Sequence, residues 1–67
     1  MDINSTNNEG KTPLMYAIES GNFDIINSLS ANNHINLKKS DKNGKTALMY
    51  AAEAGYIKII FDLVIIN

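Results

Sequence analysis

Gly10-Lys11-Thr12-Pro13-Leu14-Met15-Tyr16-Ala17-Ile18-Glu19-Ser20-Gly21 returns 34 residues later as Gly44-Lys45-Thr46-Ala47-Leu48-Met49-Tyr50-Ala51-Ala52-Glu53-Ala54-Gly55. Extended to 10–33 over 44–67, the two stretches agree at 13 of 24 positions. Agreement at that level marks two copies of one structural unit.

The residues of each copy have a local physical meaning. Asp41-Lys42-Asn43-Gly44 places Asp first and Gly fourth, the preference of a type I turn, and Asn7-Asn8-Glu9-Gly10 repeats it with Asn in first place. Thr12 and Thr46 suit a helix N-cap, where a hydroxyl accepts from an otherwise unpaired amide. Pro13 follows at the first helical position, where its missing N–H costs nothing. Leu14, Ala17 and Ile18 share one helical face, and Leu48, Ala51 and Ala52 do the same. Gly21 and Gly55 suit the helix ends. A second helix then carries Phe23, Ile25, Ile26 and Leu29, or Ile57, Ile59, Ile60, Leu63 and Val64, and Asn33 and Asn67 close it. The pattern predicts helices over 12–20, 23–31, 46–54 and 57–65.

A turn, a capped helix, a glycine and a second apolar helix at a period near 33 resemble the ankyrin repeat. Thr12-Pro13-Leu14-Met15 resembles the family's Thr-Pro-Leu-His tetrapeptide, and Thr46-Ala47-Leu48-Met49 a common variant of it. Tyr16-Ala17 and Tyr50-Ala51-Ala52, Gly21 and Gly55, and Ile25-Ile26 and Ile59-Ile60 match further family positions. Asp2-Ile3-Asn4 resembles the Asp-Val-Asn that ends a preceding repeat. The resemblance implies an all-α ankyrin-repeat solenoid with hairpin-like turn tips, one such finger over 38–45: one domain over 1–67, with 1–6 the tail of a preceding repeat, 7–40 repeat one, and 41–67 repeat two, incomplete at its C-terminal end. Met15 and Met49 replace the family's histidine, which implies loss of a hydrogen bond between neighbouring turns. Ser28 and Ser30 stand where leucine is preferred. One extra residue falls within Leu37-Lys38-Lys39-Ser40.

Composition narrows the function classes. Six basic and seven acidic residues leave a net charge of −1, and no basic run exceeds Lys38-Lys39, so neither nucleic acid nor an anionic membrane is an expected partner. The chain has no cysteine, which excludes disulfides and thiolate metal sites. The single histidine, His34, cannot hold zinc alone. The longest apolar stretch, Leu63-Val64-Ile65-Ile66, is too short to span a bilayer. The opening Met1-Asp2-Ile3-Asn4-Ser5-Thr6 lacks the basic start and apolar stretch of a signal peptide, so an intracellular, cytoplasmic location is the expectation.

No catalytic pattern emerges. His34 has no nucleophile at a motif spacing, Asp24, Asp41 and Asp62 lack the spacing of a calcium loop, and the glycines form no phosphate cradle. Glu19 and Glu53 recur because the unit recurs, and Tyr16 and Tyr50 are expected as packing residues. The expectation is a chain that is not an enzyme, takes no cofactor and binds no metal.

What remains is surface. Carried over from the resemblance, partner contacts concentrate on turn tips and the open side of the first helices: Asn8, Glu9, Lys11, Glu19 and Ser20, then Lys42, Asn43, Lys45, Glu53 and Ala54. The function implied is a protein-interaction scaffold whose partner is another protein. A second class also stands. The final helix, Ile57-Lys58-Ile59-Ile60-Phe61-Asp62-Leu63-Val64-Ile65-Ile66, is apolar around most of its circumference, as buried helices are. Either a following repeat or a second copy would cover this face; the expectation is a second copy, with Phe61, Val64 and Ile65 among the contacts of a homo-oligomer about a two-fold axis. Asn22, Asn27, Ser28 and Ser30 suit repeat one to an exposed end of the stack. Asp24 and Lys58, at one place in successive repeats, are expected to approach as an exposed ion pair.

Overall fold

Thr12 and Thr46 start their helices as their hydroxyls predict. Thr12 Oγ1 accepts from the Met15 N–H at 3.3 Å, and Thr46 Oγ1 accepts from the Met49 N–H at 3.4 Å. In this computed structural model, which describes residues 3–66, they open α1 (Pro13–Ser20) and α3 (Ala47–Ala54). Each runs 8 residues and stops at a glycine. Gly21 takes φ 72°, and its N–H closes onto carbonyls of the last turn. A side chain there would carry the left-handed penalty, and its Cβ would also stand 3.1 Å from the Tyr56 hydroxyl. Asn22 then caps α2 (Phe23–Ser30), accepting from the Ile25 N–H at 3.3 Å, and α4 (Ile57–Ile66) follows Gly55. Every boundary lies within one residue of the sequence expectation. Asp2 and Asn67 lie outside the described residues.

Within each repeat the two helices pack on each other, and the repeats stack α1 on α3 and α2 on α4. Leu14, Met15, Ile18 and Ile26 of repeat one meet Ala47, Ala51, Ile59 and Leu63 of repeat two in one buried cluster. Ile35 and Leu37 of the connecting loop cover part of it. The small residues Ala47 and Ala51 let the first helices approach closely, while the branched chains fill the space between the second helices.

The turns before α1 and α3 form matching hairpin tips. Asp41 N–H donates to the Lys45 carbonyl at 2.8 Å and Gly44 N–H to the Asp41 carbonyl at 2.9 Å, with Ser40 and Thr46 bridged antiparallel. In repeat one the bonds are Asn7 N–H to Lys11 O at 3.2 Å and Gly10 N–H to Asn7 O at 2.9 Å. Lys42 N–H donates to the Glu9 carbonyl at 2.9 Å and ties one tip to the next. Below the tips, Asn4 clamps the connecting loop: its amide donates to His34 O at 2.7 Å while its oxygen accepts from Asn36 N–H at 2.7 Å.

Several packing expectations need correction. Of Leu48, Ala51 and Ala52 only Ala51 is buried; Leu48 is half-buried and Ala52 exposed. Leu14 and Ile18, their counterparts in repeat one, are buried because repeat two lies over them. Ser30 does not face outward. It is buried, and its hydroxyl donates to the Ile26 carbonyl at 2.8 Å, so a serine is accommodated where leucine would fill space. Repeat one is also not a polar cap, since it exposes Phe23 and Ile25 alongside Asn22, Asn27 and Ser28. Asp24 and Lys58 form no ion pair; those among the described residues, Lys11–Glu19 and Lys45–Glu53, run within repeats. Met15 instead makes a local bond: the Thr12 N–H donates to its sulfur at 3.4 Å and completes a reciprocal cap within repeat one.

Candidate interaction surface

Lysine, tyrosine and glutamate recur at one spacing in both repeats: Lys11, Tyr16 and Glu19, then Lys45, Tyr50 and Glu53. The lysine sits just before the helix. The tyrosine lies on the first turn, and the glutamate one turn on, at i+3 from the tyrosine and on the same side. Each glutamate therefore reaches back across the ring to its own lysine, forming the Lys11–Glu19 and Lys45–Glu53 ion pairs.

Stacking the repeats interleaves these groups. The Lys11 ammonium lies 4.6 Å from the Tyr16 ring centroid and 5.5 Å from that of Tyr50, and the Lys45 ammonium lies 4.3 Å from that of Tyr50. The order across the face is Tyr16, Lys11, Tyr50, Lys45, with a cation over each ring and Lys11 between the two. Such contacts draw on the negative face of the aromatic ring. Glu19 beside its ammonium holds the Lys11 pKa above the usual lysine value, against the partial burial that lowers it.

The tyrosines have different fates. Tyr50 is 8% exposed, and its hydroxyl donates to an Asp41 carboxylate oxygen. Asp41 also accepts from the backbone N–H groups of Asn43 at 2.8 Å and Lys45 at 2.9 Å. The Tyr50 hydroxyl first, then the Lys45 amide, hold the Asp41 carboxyl below the usual carboxylate range. The same bond, with burial, pushes the Tyr50 phenol well above its ordinary range. Tyr16 is 46% exposed, and in the matching place Asn7 donates its amide to the Tyr16 hydroxyl. Packing was the expectation for both rings, and it holds for Tyr50 alone.

The surface residues expected to meet a partner also divide. Asn8, Glu9, Glu19, Ser20, Lys42, Asn43, Glu53 and Ala54 are exposed. Lys11 and Lys45 are half-buried, each committed to its glutamate and to a ring. A shallow cavity of about 250 Å³ opens between repeats, lined by Glu19, Lys45, Tyr50, Glu53 and Ala54. Sequence reasoning missed the Tyr–Lys ladder and the Asn7/Asp41 braces beneath it. Their signal was present in the repeated Lys–Tyr–Glu spacing, with a carboxylate or amide nine residues before each tyrosine.

Elsewhere the described residues assemble no reactive constellation. No group of His, Cys, Asp or Glu among them could hold a metal ion. A larger groove of about 630 Å³ between the ends of α2 and α4 has Asp62 as its one acidic side chain. His34 is exposed in the loop. No described helix is long and apolar enough to cross a membrane.

A family model described as ankyrin repeats, in three copies, matches residues 1–66. The chain belongs to the ankyrin-repeat family. It is also similar to a crystal structure of an ankyrin repeat domain from Acinetobacter baumannii AYE, at 29% identity and a TM-score of 0.78. That match covers 100% of this chain and 34% of the other, so this ankyrin chain spans about a third of the length of the solved relative. No curated protein matches it. Ankyrin repeats are generally protein–protein interaction modules, and as a family they are generally non-catalytic.

Proposed function

We propose that the chain is a non-catalytic scaffold that binds another protein through its turn tips and the adjoining face of α1 and α3. The observation that carries this is the rigid, laterally joined surface. The Lys42–Glu9 bond links the tips, and the Tyr–Lys ladder holds the helices beneath them in one arrangement. A surface already ordered loses little entropy on binding. Its accessible charge is carboxylate more than ammonium, because Lys11 and Lys45 lie half-buried over tyrosine rings while the Glu19 and Glu53 side chains stay exposed. A partner presenting basic or amide donors fits it. Within this proposal the interaction takes place inside the cell, and it requires no nucleic acid, membrane or cofactor.

The test compares proteins retained by the wild-type chain with those retained by a Lys42→Glu/Glu9→Lys variant. Both residues are exposed, so helical circular dichroism should be unchanged while a specific partner is lost. Lys45 is unsuitable, because its replacement would disturb the ladder itself. Retention of the same proteins by both chains would sink the proposal.

A second reading, self-association, is favoured by one observation: Phe61, Val64 and Ile65 of α4 are all exposed in the single chain.

A further inference from the structure

The positions by which the two repeats meet recur, 34 residues away, on the outward faces of the described residues. Repeat two docks onto repeat one with Tyr50, Ile59 and Leu63, all buried. Their counterparts 34 residues earlier, Tyr16, Ile25 and Leu29, lie at the opposite end and are exposed or half-buried. The contrast is sharpest for isoleucine: Ile59 is 4% exposed and Ile25 is 47% exposed. Repeat one receives repeat two on Met15, Ile18, Ile26 and Ser30, all buried. Their counterparts Met49, Ala52, Ile60 and Val64 are exposed or half-buried on the far side of repeat two.

We propose that the occupant of the far side of repeat two is the leading side of a second copy of this chain, stacked head to tail. The proposal rests on the self-association reading and specifies which surface meets which. Its warrant is continuity: the stacking that joins repeat two to repeat one is continued by one more step, with Tyr16, Ile25 and Leu29 identical to their counterparts, Met49 and Ile60 matching Met15 and Ile26, and Ala52 and Val64 in place of Ile18 and Ser30. In that step the Lys45 ammonium lies over the second copy's Tyr16 as Lys11 lies over Tyr50. The second copy's Asn8 N–H meets the Asn43 carbonyl as Lys42 N–H meets that of Glu9. Ile25 of the second copy takes the place against the Ile60 side of α4 that Ile59 takes in the buried cluster with Ile26. The alternative, α4 against α4 about a two-fold axis, would bury Phe61 and Val64 and leave Tyr16 and Ile25 in solvent. A head-to-tail contact uses two different surfaces, so it does not close at a dimer.

The experiment is a complementation of two blocked chains, Ile25→Glu at the leading side and Val64→Glu at the far side, followed by sedimentation. Both residues are exposed in the single chain, and helical circular dichroism confirms that each variant folds. The wild type should grow beyond a dimer with concentration. Each variant alone should remain at the mass of a single chain, 7.4 kDa. Their equimolar mixture should give a species of twice that mass, because each supplies the surface the other lacks. An Ile25→Glu chain that still dimerises, with no gain on mixing, would overturn head-to-tail stacking and leave a two-fold contact standing. A wild type that stays monomeric at every concentration would instead remove the self-association reading beneath it. If either glutamate variant fails to fold, Ile25→Gln and Val64→Gln take their places in the same mixture, with the same outcomes deciding.

Discussion

Met15 and Met49 hold one place in two repeats, on the same turn of helices of equal length, and are 1% and 49% exposed. Identical local sequence thus gives identical local structure and opposite burial. Thr-x-Leu-Met-Tyr-Ala folds into a capped helix in both copies because caps, turns and helical periodicity act within a few residues. Burial is decided by what lies alongside. Repeat one has repeat two over its Met15 face, and repeat two has no described residue over its Met49 face. The same rule separates the tyrosines in the reverse sense, since that side of repeat two is the one that docks. Position in the stack, more than residue type, sets the energetic weight of each side chain.

Two pairs of substitutions and one single change probe this difference, each measured on dilute chain so that one copy's end is not covered by another. The largest separation is expected at the methionines. Met15→Ala empties a buried site and should cost about 2–5 kcal/mol. Met49→Ala alters an exposed one and should stay within about 0.5 kcal/mol. Urea unfolding midpoints give both values, and equal losses would break the contrast.

The glycines of the tips come next. Gly10 and Gly44 share the left-handed conformation, φ 78° and 81°, so alanine at either should cost about 1–2 kcal/mol in backbone strain. Only at Gly10 does the second repeat approach. A Cβ there would stand 3.0 Å from the Lys42 nitrogen and 3.1 Å from the Asp41 Cα, whereas at Gly44 it meets open space. Gly10→Ala should therefore lower the thermal midpoint more than Gly44→Ala. A reversed order would show that the tips do not pack as the Lys42–Glu9 bond requires.

The smallest effect concerns Asn7 and Asp41, the two braces beneath the tyrosines. Asp41 is held below its ordinary value of 3.8 in the folded chain. Its contribution is present above that value and is lost as pH falls through the lower folded pKa. Asn7 cannot titrate. Asp41→Asn should make the second tip resemble the first, reducing stability modestly at neutral pH and flattening its decline in acid. A variant that declines as steeply as the wild type in thermal melts would place the acid sensitivity elsewhere.

Much of the fold was legible because its signals are local. The repeat, the caps at Thr12 and Thr46, the glycines and the four helix positions all follow from neighbouring residues, and so did the exposed tips at Asn8, Glu9, Lys42 and Asn43. Ala52, Tyr16 and Ser30 were misplaced for one shared reason. Periodicity shows that a helix has an apolar face, but not which edge of that face a neighbouring repeat covers. Lys45, a surface residue by sequence, is half-buried because its ion pair with Glu53, eight residues away, depends on how the turn enters the helix.

The sequence by itself determined the repeated unit, its helices and turns, and membership of a repeat family, since each rests on interactions spanning at most a few residues. The tertiary structure alone decided that Lys11 sits between two tyrosines of different repeats, that Asp41 is buried while Asn7 is exposed, and that Met15 is buried while Met49 is exposed. Those outcomes depend on placing one repeat against its neighbour. That placement is a packing event between groups some thirty residues apart, which the local pattern permits but does not position.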